Sequence, residues 1–116
     1  MRSALQPLLG IDGLVALLVL TRDGLPVEMF GYGLRAEQLA AEVAGIARST
    51  GKAFRALGLG DPGRQRISLQ SHGVDIIPVE DYYLVVVSDN GRSDGPAPHV
   101  LESTLEPLRL LLRGER

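Results

Sequence analysis

Two short runs decide what this chain can fold into. "LVALLVLT" (14–21) and "YYLVVVS" (82–88) are short, continuously apolar and rich in Leu and Val. Such runs, lacking polar alternation, read as strands covered on both faces. A strand of that kind sits inside a sheet. Both runs therefore belong at its centre, and the remaining segments must extend the sheet or cover it.

The flanking segments supply the extensions. "RDG" (22–24) and "LPVEMFG" (25–31) follow the first run. Asp23-Gly24 suits a two-residue type I′ hairpin loop, whose central residues both take positive φ. Pro26 cannot donate to a ladder, so this second strand belongs at an edge. On the other side, "RISLQ" (66–70) alternates strictly, Ser71-His72-Gly73 reads as a turn, and "VDIIPV" (74–79) reaches the last run through Glu80-Asp81. Ser68 and Gln70 share one face of the alternating strand, with Ile67 and Leu69 on the other.

Three helices complete the order. Ser3–Leu9 reads as a short helix, with Ser3 and Gln6 at capping-box spacing and Gly10 as a left-handed stop. Residues 35–57 lack proline, and Leu39, Val43, Ile46, Ala47, Thr50, Phe54 and Leu57 form a stripe of helical period. Residues 98–113 form the last helix, with Leu101, Leu105, Leu108 and Leu112 on one side and a kink expected at Pro107. "GLGDPG" (58–63) and "DNGRSDGPAP" (89–98) read as loops.

The order is α-β-β-α-β-β-β-α. Pairing the two apolar runs side by side and closing each hairpin gives the sheet order 2-1-5-4-3, all antiparallel. The chain must then return from one end of the second strand to the opposite end of the third. A helix of about 20 residues, rising about 1.5 Å each, spans that distance. The expected fold is one α/β domain of the α+β type over residues 1–116. Its long helix lies on one face of the sheet and its terminal helices on the other.

Composition removes several functions. The formal charge is −2, aromatic residues are 4%, and no Lys/Arg stripe exists. Nucleic-acid binding needs basic tracks and stacking rings, so that partner is not expected. Cysteine is absent, which excludes disulfides and thiolate metal sites. His72 and His99 lack ligand-like spacing. The longest apolar run is too short to cross a bilayer, and the N-terminus has no long apolar stretch of the signal-peptide kind. A cytoplasmic protein without membrane insertion is expected. Asp12, Asp23, Asp75, Glu80 and Asp81 fall at strand ends and turns, and Tyr82 and Tyr83 head an inner strand. No nucleophile–base pair emerges, so neither catalysis nor a metal or cofactor is expected.

"GIARSTGKAF" (45–54) resembles a phosphate loop only at first sight. That motif needs four residues between its glycines, a hydroxyl after the lysine, and a strand-to-helix position. Here five residues separate Gly45 from Gly51, Ala53 replaces the hydroxyl, and the stretch lies within the long helix. The helix face opposite the apolar stripe is nevertheless unusual. It carries Ala41, Gly45, Arg48 and Lys52, flanked by Glu37, Ala44, Ser49 and Arg55. Gly45 costs about 1 kcal/mol against Ala inside a helix. Two readings stand: an ordinary wet face with incidental small residues, or a second packing face for a helix or partner. The third strand poses the same choice. Ile67, Ser68, Leu69 and Gln70 include no lysine, proline or bulge to blunt an open edge. Either this short edge stays open, or two copies pair there about a two-fold axis. Pairing joins ten strands and brings the long helices together.

Gly13 before an apolar strand, Arg22-Asp23-Gly24 at the hairpin and Leu39-Ala40-Ala41 early in the long helix form an ordered pattern, completed by the late apolar strand. Over residues 8–90 this resembles the Roadblock / dynein light chain family, and within it the bacterial MglB-like gliding-protein relatives. The resemblance implies a profilin-like/Roadblock architecture, a homodimer, and binding to a small Ras-like GTPase whose cycle the module regulates or organises. It also implies that the paired long helices meet the GTPase through Ala41, Gly45, Arg48 and Lys52, with Glu37 beside them. The alternative is a small-ligand sensor of the PAS/GAF or profilin-like kind. Such a sensor needs a cavity between sheet and helix, whereas the dense Leu and Val content suggests a filled core.

Overall fold

The computed structural model describes residues 1–31, 35–89 and 95–114. Its elements follow the expected order: α1 (Arg2–Leu9), β1 (Leu14–Thr21), β2 (Pro26–Gly31), α2 (Ala36–Ala56), β3 (Gln65–Ser68), β4 (His72–Val79), β5 (Tyr82–Asp89) and α3 (Pro98–Gly114). The sheet order is β2-β1-β5-β4-β3 with every pair antiparallel. Residues 90–94 of the loop read at 89–98 lie outside the described residues.

The two apolar runs pair directly, with Leu17 opposite Val86 and Val19 opposite Leu84. Strand alternation then divides their side chains between two cores. Leu17, Val19, Leu84 and Val86 face α1 and α3, where they meet Leu5, Leu8, Leu101, Leu108 and Leu112. Leu18, Leu20, Val85 and Val87 face α2, where they meet Ala40, Val43 and Ala47. The long helix and the terminal helices thus cover opposite faces, which is why both runs lack polar positions.

Local chemistry differs from the sequence expectation at several ends. Helix α1 starts at Arg2 without a side-chain cap, so Ser3 lies inside the helix. Gly10 has φ −95° and ends it without a left-handed residue. Helix α3 runs through Pro107 as one element. At the first hairpin, Gly24 donates to the Thr21 carbonyl (3.0 Å) and Thr21 donates to the Leu25 carbonyl (2.9 Å). Among the described non-glycine residues, only Glu80 has positive φ. The loop is therefore the three-residue Arg22-Asp23-Gly24 turn with Gly24 alone left-handed, not a type I′ turn. A register shift at Val19/Leu20 follows on the same hairpin.

The second hairpin is also displaced. Leu69 donates to the His72 carbonyl at 2.7 Å. The turn is thus Gln70-Ser71, β4 begins at His72, and Leu69 and Gln70 lie beyond β3.

Candidate protein-interaction surface

Helix α2 packs on the sheet through small residues. Ala40, Val43, Ala44, Ala47 and Gly51 are its buried positions. Of the expected apolar stripe, only Val43 and Ala47 are among them. Leu39 and Thr50 are half-buried, while Ile46 (43%), Phe54 (39%) and Leu57 (70%) are exposed. The physical reason lies at Gly24. That residue has φ +94°, and a Cβ on it would lie 3.1 Å from both the Ala41 Cα and the Ala44 Cβ. The hairpin turn therefore presses onto α2 where only alanines admit it. The helix turns its small stripe to the sheet and hairpin, leaving the larger apolar side chains on the other flank.

The two flanks of α2 now differ in character. One side meets the first hairpin: Arg48 Nη1 donates to the Arg22 carbonyl at 3.1 Å. The other side faces the β3–β4 end of the sheet. There an open groove of about 510 Å³ runs between Leu39 of α2 and Leu69 just beyond β3, together with Val74 and Val87 of the sheet, with Arg35, Gln38, Glu42 and His72 at its margin. Leu69 is 53% exposed. An apolar groove beside an open strand edge is the arrangement that a second polypeptide covers most readily.

The edge itself is held rigidly. The β3–β4 register pairs Ile67 with Val74 and Ser68 with Gly73. With Leu69 bonded to His72, alternation points the backbone of Ile67 toward β4 and that of Arg66 and Ser68 outward. Beneath the strand, Asp75 is fully buried. Arg64 reaches its Oδ1 through Nε (3.0 Å) and Nη2 (2.8 Å), and Arg66 Nη1 pairs with Oδ2. Gly95, at φ +72°, lets the chain pass over this cluster, since a Cβ there would lie 2.6 Å from Asp75 Oδ2. Two arginines of β3 and its approach thus clamp the edge strand to the acid of β4. Burying such an acid costs several kcal/mol unless its partners are well placed.

The predicted residues fall into three groups. Ile67 packs against the α2-side core, and Ser68 ends the strand on the exposed edge. Leu69 and Gln70 lie in the adjoining turn rather than in the ladder, so the interface expected over Ile67–Gln70 comprises a strand end and a turn. Glu37 and Lys52 are exposed, and nothing lies within 4 Å of a Cβ built on Gly45. Ala41 and Arg48 sit against the hairpin, which explains their size and orientation from within the chain.

Sequence reasoning missed the Arg64–Asp75–Arg66 cluster. Its signal was legible: an acid inside the apolar "VDIIPV" segment, opposite two arginines spaced by two. Asp12, Asp23 and Asp81 are exposed. Glu80 ties α3 to the β4–β5 turn through Arg113 (3.1 Å) and Arg109 (3.6 Å). Among the described residues, no three His, Asp or Glu side chains group closely enough to hold a metal ion. No described helix is long and apolar enough to cross a membrane.

Comparisons with known proteins give the fold its context. Among curated proteins, none matches the sequence significantly. Among solved structures, an MglB with tetrameric arrangement superposes with a TM-score of 0.81 at 18% identity, covering 99% of this chain and 86% of that one. A Roadblock/LC7 domain from Streptomyces avermitilis gives 0.74 at 19% identity, over 99% and 92%. Profilin II of Acanthamoeba castellanii gives 0.61 at 17% identity, over 87% and 89%. These likenesses establish the profilin-like topology. The Roadblock/LC7 domain model matches residues 3–88, which span α1 through nearly all of β5. On that match, carried by the sheet and helices described above, the chain belongs to the Roadblock/LC7 domain family.

Proposed function

We propose that this chain is a non-catalytic homodimeric module that binds a small Ras-like GTPase and regulates or scaffolds it. One observation carries the proposal: the open backbone of Arg66 and Ser68 lies beside the exposed apolar flank of α2 and its groove. Pairing β3 with β3 of a second copy satisfies those outward groups. It also brings Leu39, Ile46 and Phe54 against their counterparts, removing large apolar side chains from water at about 25 cal/mol per Å². The two long helices then form one platform. Gly45, with open space around it, and the exposed Glu37 and Lys52 give that platform its docking face. Ala41 and Arg48 support it from the hairpin side. The tetrameric arrangement of the similar MglB is consistent with a fold that self-associates.

Family membership and the resemblance to MglB-like regulators support the choice of a GTPase as partner. The deciding experiment has two readouts. Size-exclusion chromatography with light scattering should give a dimer at micromolar concentration. Candidate Ras-like GTPases, loaded with GDP or a GTP analogue, should co-purify with that dimer in at least one nucleotide state. A dimer that captures none of them removes the GTPase reading and leaves the assembly. A monomer removes the assembly as well.

A further inference from the structure

A second concavity lies on the opposite flank of α2, bordered by the first hairpin and reaching across the sheet to Pro78 of β4 and Gln65 at the start of β3. It has a volume of about 380 Å³, within the range of small-molecule sites. Three guanidinium groups line it: Arg22 from the first hairpin, and Arg48 and Arg55 from α2. Arg48 and Arg55 are seven residues apart and share a helix face. Gly51 lies between them and opens the floor, for a Cβ there would meet Arg55 Nη1 at 3.0 Å.

The charges on this site do not cancel. Arg55 pairs with Asp61 at 2.6 Å, and Asp61 is the only acidic side chain among the described residues of the lining. Arg22 lies over the Tyr83 ring at 4.5 Å and donates to the Glu80 carbonyl. Arg48 donates to the Arg22 carbonyl. Among the described residues, Arg22 and Arg48 thus donate to neutral main-chain oxygens, which hold the side chains in place without neutralising them. Each guanidinium has five N–H donors, and each uses one in these bonds. Three cations and one carboxylate leave two positive charges converging on one concavity, in a chain whose net charge is −2.

We infer that this pocket binds a small molecule through a phosphate group. The planar guanidinium fork matches phosphate oxygens in pairs, and a phosphate dianion matches the excess charge. The confined volume exceeds bare phosphate, which leaves room for the rest of a small phosphate ester, whereas an extended polyanion does not fit. The inference is independent of the dimer and of the GTPase, because the pocket lies within one copy.

The test is a ¹H–¹⁵N NMR titration of the full chain with inorganic phosphate and pyrophosphate at constant, low ionic strength, with succinate as a dianion lacking phosphate. Saturable shifts should appear at the amides of Gly24, Gly51 and Gln65. Arg48→Gln should weaken binding about tenfold, the loss of one charge-assisted contact. Lys52→Gln, just outside the lining, should leave the affinity unchanged. Shifts that never saturate overturn the inference, as does a Lys52→Gln loss equal to that of Arg48→Gln. Equal binding of succinate overturns the assignment to phosphate. The spectrum of each variant reports its fold directly, so a loss of binding is attributed to the pocket only in a folded chain.

Discussion

Gly24 sets the distance between the first hairpin and α2. Its positive φ excludes most side chains, and the space beyond it is filled by Ala41 and Ala44. Gly24→Ala combines a left-handed penalty of about 1–2 kcal/mol with crowding of about 1 kcal/mol or more. Urea unfolding should show a loss of about 2–4 kcal/mol. A loss below 0.5 kcal/mol means that the turn relaxes away from the helix. Asp75 is the counterpart at the other end of the sheet. Asp75→Asn leaves Arg64 and Arg66 without their carboxylate, and the usual cost of removing one partner of a buried pair is about 3 kcal/mol. The same urea experiment reads it. A near-neutral result shows that the two arginines swing into solvent. Both residues stood out in the sequence, Gly24 as a turn signal and Asp75 as one of the acids expected at strand ends and turns, whereas the structure sets Asp75 inside β4. What they touch was not visible, because each contact joins segments distant along the chain.

Strand β3 and helix α2 carry the proposed assembly. The outward N–H of Ser68 makes no bond to β4 in the observed register. Ser68→Pro therefore removes a group that only a second copy uses, and it spares the Ile67–Val74 pair. The variant should run as a folded monomer in light scattering while the parent runs as a dimer. A dimeric Ser68→Pro protein places the seam elsewhere. For α2, helical period predicted the existence and length of the element within one residue at each end. It did not predict the buried side. Leu39, Ile46 and Phe54 dominate any count of hydrophobic period, yet the helix buries Ala40, Ala44, Ala47 and Gly51. Close packing against a sheet favours a smooth stripe over a bulky one when a hairpin must also fit. The displaced large residues then become surface, and this surface suits a second copy.

The assembled molecule separates its two sides of α2 by chemistry. The β3 side is apolar and open, suited to a second copy, while the hairpin side is basic and concave. The proposed docking face lies between them, around Gly45. Gly45→Arg adds bulk and charge where nothing lies within 4 Å of the Cβ, and it improves helix propensity. The variant should match or slightly exceed the parent's urea midpoint and keep its dimer mass but lose GTPase capture. Undiminished capture moves the docking face off this side of the helix.

The amino-acid order alone determined the number, type and order of the elements, the central position of the two apolar runs and the strand order built on them. Hydrophobic period and turn residues are local, and hairpin closure leaves few alternatives. The tertiary structure decided which side of α2 is buried, where the second hairpin turns, how Asp75 is satisfied and where three arginines converge. Each of these depends on the fit between surfaces far apart in sequence, which steric complementarity and charge settle only once the layers are in contact.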